Sequence, residues 1–515
     1  MKVLVQFNRK KVNFIVFTIY LLVFCGLYGV ITLHESSVKN TVAQSRVWGW
    51  LGWIILSWAL YSWYRLQGSL SNLYVAFYLT GFVFMYGQSL LFALGVEHEA
   101  SFLGYVVSFN SILHAQVFTC ISMLLMHIGG LVGTRPINGK QVISEKVLLP
   151  NKYRAVRIVG WLLLFVSVLP FMYEAIVNTE IVARYGYRAL YGYDGSITSP
   201  LLTMGRLGII LIRFGQYFLP AIICLFIGYR DSKLAHNSIM ILSLFIVLYY
   251  LYIGSRSPAV VFAICMVFLF DVLIRPFKGL RVVLSTVAIY LGVSVLAIIA
   301  DLRGAAGRTL ASMFDAIVAN IGSENYVVAF ISEIGYSMFP LVKVTQFVPS
   351  YYPFRYGSSY LYAFTSIVPN LGFWEVHPAG QHAQLGDWLM DVLHMSSGPG
   401  FSATAEAFIN FGWLGIFVFL VYGYAYARIF GRVGRKNAAF EPELLAAIVI
   451  LFSKTVMTHR NAFIATVRAV FYFALPLYLL MRSIASQLHQ SSRSSEVSQR
   501  HTEAPFSPIH LSAES

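Results

Sequence analysis

Long apolar stretches without charged side chains recur along this chain of 515 residues. Hydrophobic residues make up 58% of the sequence and charged residues only 11%, which leaves too little polar surface for a water-soluble protein. Many of the stretches reach about 20 residues, a length that lets a helix cross the apolar interior of a bilayer. The sequence therefore predicts an all-α polytopic membrane protein.

Hydropathy and loop charge together predict the topology. About twelve apolar runs qualify as membrane spans in a window of about 19 residues. The predicted spans are 14–33, 47–64, 70–94, 112–134, 156–177, 207–228, 238–253, 258–274, 282–300, 408–427, 443–458 and 464–482. If the N-terminus is cytoplasmic, most of the Lys and Arg residues fall in short cytoplasmic segments such as 135–157, 275–281 and 428–436. The positive-inside rule therefore predicts that both termini are cytoplasmic.

The basic net charge and the cysteines exclude some classes of function. The formal net charge of +15 follows from the loop charges that set the topology, so nucleic acid is not expected as a partner. All four cysteines lie inside apolar runs, a pattern that offers neither a disulfide framework nor a zinc site. No cofactor is predicted.

The chain is predicted to comprise a membrane domain with two long outer loops. The membrane domain covers 1–484, and a Ser-rich, disordered cytoplasmic tail follows at 485–515. The outer loops are an Arg/Tyr-rich loop at 178–206 and a larger loop with short helices at 301–407. Within the larger loop, the apolar segment 327–348 is interpreted as a re-entrant or interfacial helix, because a full crossing would invert every later loop.

Arginine residues recur near the outer ends of the predicted spans. Arg256 lies in the short turn GSRSP between two spans, and the segment DLRGAAGRT places Arg303 and Arg308 beside glycines. Small residues let backbone N–H groups approach an anion, and a guanidinium offers a planar pair of donors. Arg206 and Arg213 are seven residues apart and point from one helix face, with Arg213 about 10 Å deeper. These five arginines are predicted to bind an anion near the membrane surface.

Arg213 has a second interpretation. A charge inside a span is costly unless it faces a partner or a water-filled cavity, so we expect Arg213 to line a cleft that opens to the outer side. The alternative is that its side chain reaches the interface or pairs with an acid such as Glu174.

An alternation of arginine and tyrosine marks the first outer loop, in the segment RYGYRALYGYDG. Its residues Arg184, Arg188, Tyr187 and Tyr191 are candidates for sugar binding, because a phenol ring offers both an apolar face and a hydrogen bond. The alternative is an aromatic belt at the membrane interface.

The last part of the larger outer loop contains the densest group of acids and bases on that side. A metal site formed by His377, His382 and Asp387 is an alternative, but the spacing matches no strong ligand pattern, so no metal is predicted. His382 and Asp387 are instead second candidates for a catalytic base.

A polar stripe follows in the segment FSATAEAFINFGWLG. Ser402, Glu406 and Asn410 recur every four residues, so on a helix they share one face at the outer mouth of a span. Glu406 is the first candidate for a base that deprotonates a sugar hydroxyl. The alternative is a structural carboxylate bonded to a neighbouring arginine.

Taken with these motifs, the chain resembles the Wzy-type O-antigen, or oligosaccharide repeat-unit, polymerases. GSRSP is similar to the Gly-x-Arg-Gly/Ser-Pro turn of that family, and SATAEAFINFGWLG is similar to its Ser-x-x-x-Glu-x-x-x-Asn-Phe-Gly-x-x-Gly run. The layout of many spans with a long, late outer loop is also similar. Related ligases often carry a His-x-x-Asn-type motif before the late helix, where this chain reads GFSATAEAF, which favours a polymerase.

The resemblance implies a fold like that of the C-type glycosyltransferases. It implies that a growing glycan is transferred from undecaprenyl pyrophosphate to an incoming repeat unit, at the periplasmic face of the bacterial inner membrane and without a metal. Pyrophosphate is then the anion expected at Arg256 and Arg213, with Arg303 and Arg308 in support. The expected partners are the lipid-linked donor and acceptor and the membrane lipid, and a chain-length regulator and a flippase are candidate protein partners.

Three other functions stay open from the sequence. An O-antigen ligase uses the same donor with a lipid A-core acceptor, a transporter or flippase for lipid-linked sugars also needs a cationic cleft, and a structural partner in a glycan-assembly complex needs no chemistry. Transporters often contain internal repeats with broken helices at corresponding positions, and the sequence has no such repeat. The acids and histidines of the long outer loop favour catalysis.

Overall fold

The computed structural model describes most of the chain. The described residues are 9–34, 38–96, 108–134, 149–186, 189–190, 206–276, 292, 315, 318, 326–370, 374–395, 400–434 and 441–502. The α-helices are α1 (Arg9–His34), α2 (Val38–Gln67), α3 (Leu73–Ala93), α4 (Phe109–Gly133), α5 (Leu149–Tyr185), α6 (Arg206–Gly215), α7 (Phe218–Gly228), α8 (Lys233–Tyr252), α9 (Arg256–Leu273), α10 (Tyr326–Gly335), α11 (Phe339–Phe347), α12 (Ser358–Thr365), α13 (Pro378–Ala383), α14 (Leu385–Val392), α15 (Ala403–Phe411), α16 (Ile416–Phe430), α17 (Pro442–Thr455), α18 (Ile464–Arg468) and α19 (Leu475–Thr502). Short 3₁₀ segments join α10 to α11 and α15 to α16, and the π-helical segment Ala469–Ala474 joins α18 to α19.

The helices confirm the predicted polytopic all-α architecture. Within the described residues, 11 helical stretches are long and apolar enough to cross a membrane. They are Arg9–His34, Leu73–Ala93, Phe109–Gly133, Leu149–Tyr185, Ile210–Gly228, Lys233–Tyr252, Arg256–Leu273, Val327–Phe347, Ala403–Phe430, Pro442–Arg460 and Ile464–Ser491. The predicted span 47–64 lies within the 30-residue helix α2, which is rich in tryptophan. Apart from residue 292, the predicted span 282–300 lies outside the described residues.

The first four helices and α16 form one tightly packed group. Gly129 and Gly133 of α4 are four residues apart, and a Cβ on either would meet backbone atoms of α16. Gly423 on α16 faces the backbone of Met126 in the same way. Small residues at this spacing let two helices approach closely inside a membrane, where dispersion rather than the hydrophobic effect holds them together.

A second group surrounds α5. This long helix packs against α6, α7 and α19, and α17 contacts both α5 and α7. One side of α5 stays uncovered, with Phe165 84% and Leu169 76% exposed. An apolar helix face that meets no protein is expected to face lipid, since lipid chains solvate apolar side chains.

The segment formed by α10 and α11 lies near one end of the bundle. Gln88 of α3 donates a hydrogen bond to the Ser332 carbonyl of α10 at 2.9 Å, and Gln346 of α11 donates to Ser111 of α4 at 2.9 Å. Gln88 is near the end of α3 and Ser111 near the start of α4, so both contacts fall at the same end of this helix pair. A crossing helix would contact opposite ends, so these contacts favour the re-entrant or interfacial interpretation.

Candidate functional site

Arg256, predicted to be an anion-binding residue in a turn, has a carboxylate partner. It is the first residue of α9, directly after a tight turn in which Gly254 adopts a φ of +83°. Its Nη1 donates to Glu333 Oε2 at 2.7 Å, and its Nη2 donates to Glu333 Oε1. The Arg256 side chain is 14% exposed and that of Glu333 36%. The paired donors of a guanidinium fit a carboxylate and a phosphate alike, so Glu333 occupies the geometry that a phosphate would use.

A cavity of about 290 Å³ opens beside this turn. It is formed by α5, the junction of α6 and α7, α8, α9 and α17. Its polar lining residues are Glu174, Asn178, Gln216, Tyr249, Tyr250, Ser257, Ser453 and Lys454. In the predicted orientation, these residues lie toward the outer ends of their helices.

Three cations lie on the elements around the π-helical segment. Lys454 Nζ lies 4.4 Å from the centre of the Phe473 ring, and the ring of Tyr217 packs against the same ring with its centre 4.9 Å away. The Tyr217 hydroxyl also donates to the Tyr472 carbonyl at 2.8 Å. Arg213 is one turn before Tyr217 and Arg468 one turn before Tyr472, and the charges of these two arginines repel each other. We call Arg213, Lys454 and Arg468 the basic cluster.

The basic cluster has no acidic counterpart within the described part of the chain. None of its three members forms an ion pair there, and the suggested pairing of Arg213 with Glu174 is absent from these described residues. Cations held together without acids are costly unless an anion joins them. The arrangement is therefore suited to an anionic ligand.

Glu406 lies at the centre of a second polar group, which joins the long outer loop to α15. Its side chain is 0% exposed. Ser359 donates to Glu406 Oε1 at 2.7 Å, and the backbone N–H of Phe463 donates to Oε2 at 2.6 Å. Asn410 Nδ2 donates to the Ser359 hydroxyl at 2.8 Å, and Asn410 Oδ1 accepts from the N–H of Gly357 at 2.9 Å. Two members of the predicted polar stripe, Glu406 and Asn410, thus bind the outer loop to α15. The role of Glu406 as base stays a prediction.

Arg355 connects this polar group with the short helices of the loop. Its backbone N–H donates to the Ile409 carbonyl at 2.9 Å, and its Nη1 donates to the His382 carbonyl at 3.1 Å. Its guanidinium lies 5.4 Å from the centre of the Trp388 ring. Burial lowers the pKa of Arg355, and the nearby charge of Glu406 opposes that shift. The arginine neighbour expected for a structural carboxylate is therefore present.

The second candidates for the base lie farther out in the loop. The His382 ring packs 4.3 Å from the ring of Tyr362. Asp387 is exposed and accepts a hydrogen bond from Gln384 at 3.4 Å. His377 caps the N-terminus of α13, where its Nδ1 accepts from the Ala379 N–H at 3.1 Å. In the described portion, no three His, Cys, Asp or Glu side chains come together as a metal site would require.

The remaining predicted residues lie at the edges of the described segments or outside them. Arg184 is exposed and pairs with Glu180 at 2.7 Å, one turn earlier on α5. The structure describes the backbone of Arg206, at the start of α6, but not its side chain. The other members of the predicted set lie outside the described residues: Tyr187, Arg188, Tyr191, Arg303 and Arg308.

Sequence reasoning passed over residues whose partners are distant in the chain. Glu333 follows Arg256 by 77 residues, and Ser359 precedes Glu406 by 47. Lys454 has a signal in the sequence: it lies inside a predicted span, where a charged side chain is energetically costly and is therefore a functional candidate. Glu174, inside the predicted span 156–177, carries the same signal.

The fold and the cavity define a class: a multi-pass helical membrane protein with a cavity between its helices that is lined in part by polar side chains. A family model described as O-antigen polysaccharide polymerase Wzy matches residues 13–489. The chain belongs to this family, which confirms the resemblance seen in its motifs. No curated protein and no solved structure is similar enough to match the chain.

Proposed function

We propose that the protein polymerises repeat units carried on undecaprenyl pyrophosphate, at the periplasmic face of the bacterial inner membrane. The growing glycan leaves its lipid pyrophosphate and joins the incoming unit. The observation that carries this proposal is the basic cluster beside a cavity of about 290 Å³, close to the Arg256 turn. The family supports polymerisation in general, and the cluster supports a pyrophosphate-linked donor.

The chemistry requires that charge developing on the leaving pyrophosphate be stabilised. Fixed cations in a site with little water do this strongly, because they need no reorganisation during the reaction. We assign this task to Arg213, Lys454 and Arg468. Arg256 joins them when the pyrophosphate displaces Glu333 from its guanidinium. Arg206, Arg303 and Arg308 remain predicted supporting residues.

The long outer loop positions the substrates in this proposal. Glu406 anchors the loop through Ser359, and Arg355 extends the connection toward His382. Tyr187, Tyr191, Arg184 and Arg188 stay the candidates for binding sugar rings. A chain-length regulator and a flippase remain candidate partners.

Complementation of a polymerase-deletion strain tests the proposal. The wild-type gene should restore a ladder of long lipopolysaccharide on a gel. Arg256→Lys keeps the charge but loses the paired donors, so it should reduce long chains at least about tenfold at normal protein level. Arg482→Lys is the matched control, because Arg482 is exposed on α19 and contacts only Tyr478 among described side chains.

The remaining lipopolysaccharide identifies the function. A deletion strain whose lipopolysaccharide carries one repeat unit has lost a polymerase. Core without any repeat unit would instead indicate a ligase or a flippase and would contradict the proposal. A full lipopolysaccharide ladder from the Arg256→Lys variant would show that Arg256 does not bind the pyrophosphate.

A further inference from the structure

We infer that Glu174 is the catalytic base, and that the cavity it lines receives the acceptor sugar. This inference rests on the proposed function and names the residue that removes the proton. It assigns the cavity between α5, α8, α9 and α17 to one sugar ring of the incoming unit.

Glu174 is the acidic residue that lines this cavity within the described part of the chain. It lies one turn after Pro170, which interrupts the hydrogen bonding of α5. A Cβ placed on Gly215 would lie 3.2 Å from Glu174 Oε2, so the glycine leaves room for the carboxylate. None of the described residues forms a hydrogen bond or an ion pair with this carboxylate. With respect to the described residues, the carboxylate is therefore available to a ligand.

The other lining groups suit a carbohydrate. Asn178 and Gln216 offer amides, Ser257 a hydroxyl, and Tyr249 and Tyr250 two phenols. Sugars bind through such hydrogen bonds together with aromatic rings that pack on their apolar faces. The volume of about 290 Å³ is at the lower limit of small-ligand pockets, which suits one ring better than a whole repeat unit.

The cavity also separates the two charges that the reaction needs. Glu174 is on α5, whereas Lys454 is on α17 and Ser257 follows Arg256 on α9. No ion pair joins Glu174 to Lys454 in the described structure. A displacement at a sugar carbon places the base and the leaving group on different sides of that carbon. A carboxylate and cations on separate helices meet this requirement.

The step conserves atoms and charge. Glu174 takes the proton of the acceptor hydroxyl while the hydroxyl oxygen forms a bond to the anomeric carbon of the donor. The bond from that carbon to the pyrophosphate oxygen breaks, and its electron pair leaves with the pyrophosphate. The basic cluster and Arg256 hold the resulting charge.

The other described carboxylates near the outer side do not line this cavity. Both oxygens of Glu406 accept hydrogen bonds, Glu333 pairs with Arg256, and Glu180 pairs with Arg184. Asp387 is exposed on the loop and does not line the cavity.

Glu174→Gln in the purified full-length protein tests the inference, with undecaprenyl-pyrophosphate-linked repeat units as substrate. A general base contributes about 10²–10⁴-fold, so kcat should fall by at least about 100-fold while KM changes less than about threefold. The rate of the wild type should rise with pH as Glu174 loses its proton, and this acidic limb should disappear in the variant. Asp231→Asn, in the exposed turn between α7 and α8, is the control and should retain wild-type kinetics.

Two further measurements separate catalysis from folding. Glu174→Gln should unfold at the wild-type temperature and still bind a non-reactive lipid-pyrophosphate glycan, whereas Glu174→Asp should recover part of kcat. A Glu174→Gln enzyme within about threefold of wild-type kcat, or one that loses only binding or stability, overturns the inference. Because the wild type is measured alongside, its failure to elongate glycans would count against the proposed function itself.

Discussion

Ser359 shows how a single hydroxyl connects the outer loop to the membrane helices. It donates to Glu406 and accepts from Asn410, and all three side chains are fully buried. A buried group that loses its partner retains the cost of leaving water without the compensating hydrogen bond. Removing Ser359 therefore leaves two other polar groups partly unsatisfied.

The stability of Ser359→Ala tests this connection. The variant should lose about 1–3 kcal/mol of unfolding free energy, seen as a lower midpoint of thermal unfolding in detergent. Ser366→Ala is the matched control: Ser366 is also buried, but its hydroxyl donates only to the Ala363 carbonyl of the preceding turn. Equal midpoints for the two variants would show that the Ser359 contacts do not hold the loop.

At the scale of helices, hydropathy predicts where each helix lies along the chain better than it predicts which residues that helix contacts. The predicted span 112–134 corresponds to α4, and 258–274 corresponds to α9, because apolar length alone sets where a helix lies in a bilayer. The four-residue spacing of Glu406 and Asn410 likewise predicts their shared face. Neither signal specifies that this face meets Ser359, since tertiary neighbours depend on the packing of distant segments.

Close contact between α4 and α16 gives a prediction for Gly423. Gly423→Ala places a methyl group against the Met126 carbonyl, which belongs to backbone and cannot move aside. We expect the two helices to separate and the thermal midpoint to fall by several degrees. Gly26→Ala on α1, where a Cβ meets nothing within 4 Å, should leave the midpoint unchanged or raise it. If both alanine variants unfold at the wild-type midpoint, the close approach of α4 and α16 is not required for stability.

For the whole molecule, the candidate site depends on which end of the bundle faces outward. The Arg256 turn, the cavity and the contacts of α10 and α11 with α3 and α4 all fall at helix ends that the charge pattern predicts to be outer. Sequence supplies this orientation through loop charge. The convergence of Glu174, Ser257 and Lys454 on one cavity could not be predicted, because it requires three helices from separate parts of the chain to be neighbours.

Cysteine labelling tests the orientation and the α10–α11 segment together. Single cysteines replace exposed Leu70 and Tyr351 and half-buried Gly434 in a chain whose four buried cysteines are changed to alanine. If α10 and α11 enter and leave on the outer side, a membrane-impermeant maleimide should label Tyr351→Cys in intact spheroplasts. Leu70→Cys and Gly434→Cys should react only after lysis. If the segment crosses instead, the pattern at Tyr351 and Gly434 reverses while Leu70 stays protected. Labelling of Leu70→Cys in intact spheroplasts would show that the whole bundle has the opposite orientation. The basic cluster would then lie on the side away from the periplasm, where a periplasmic donor cannot reach it.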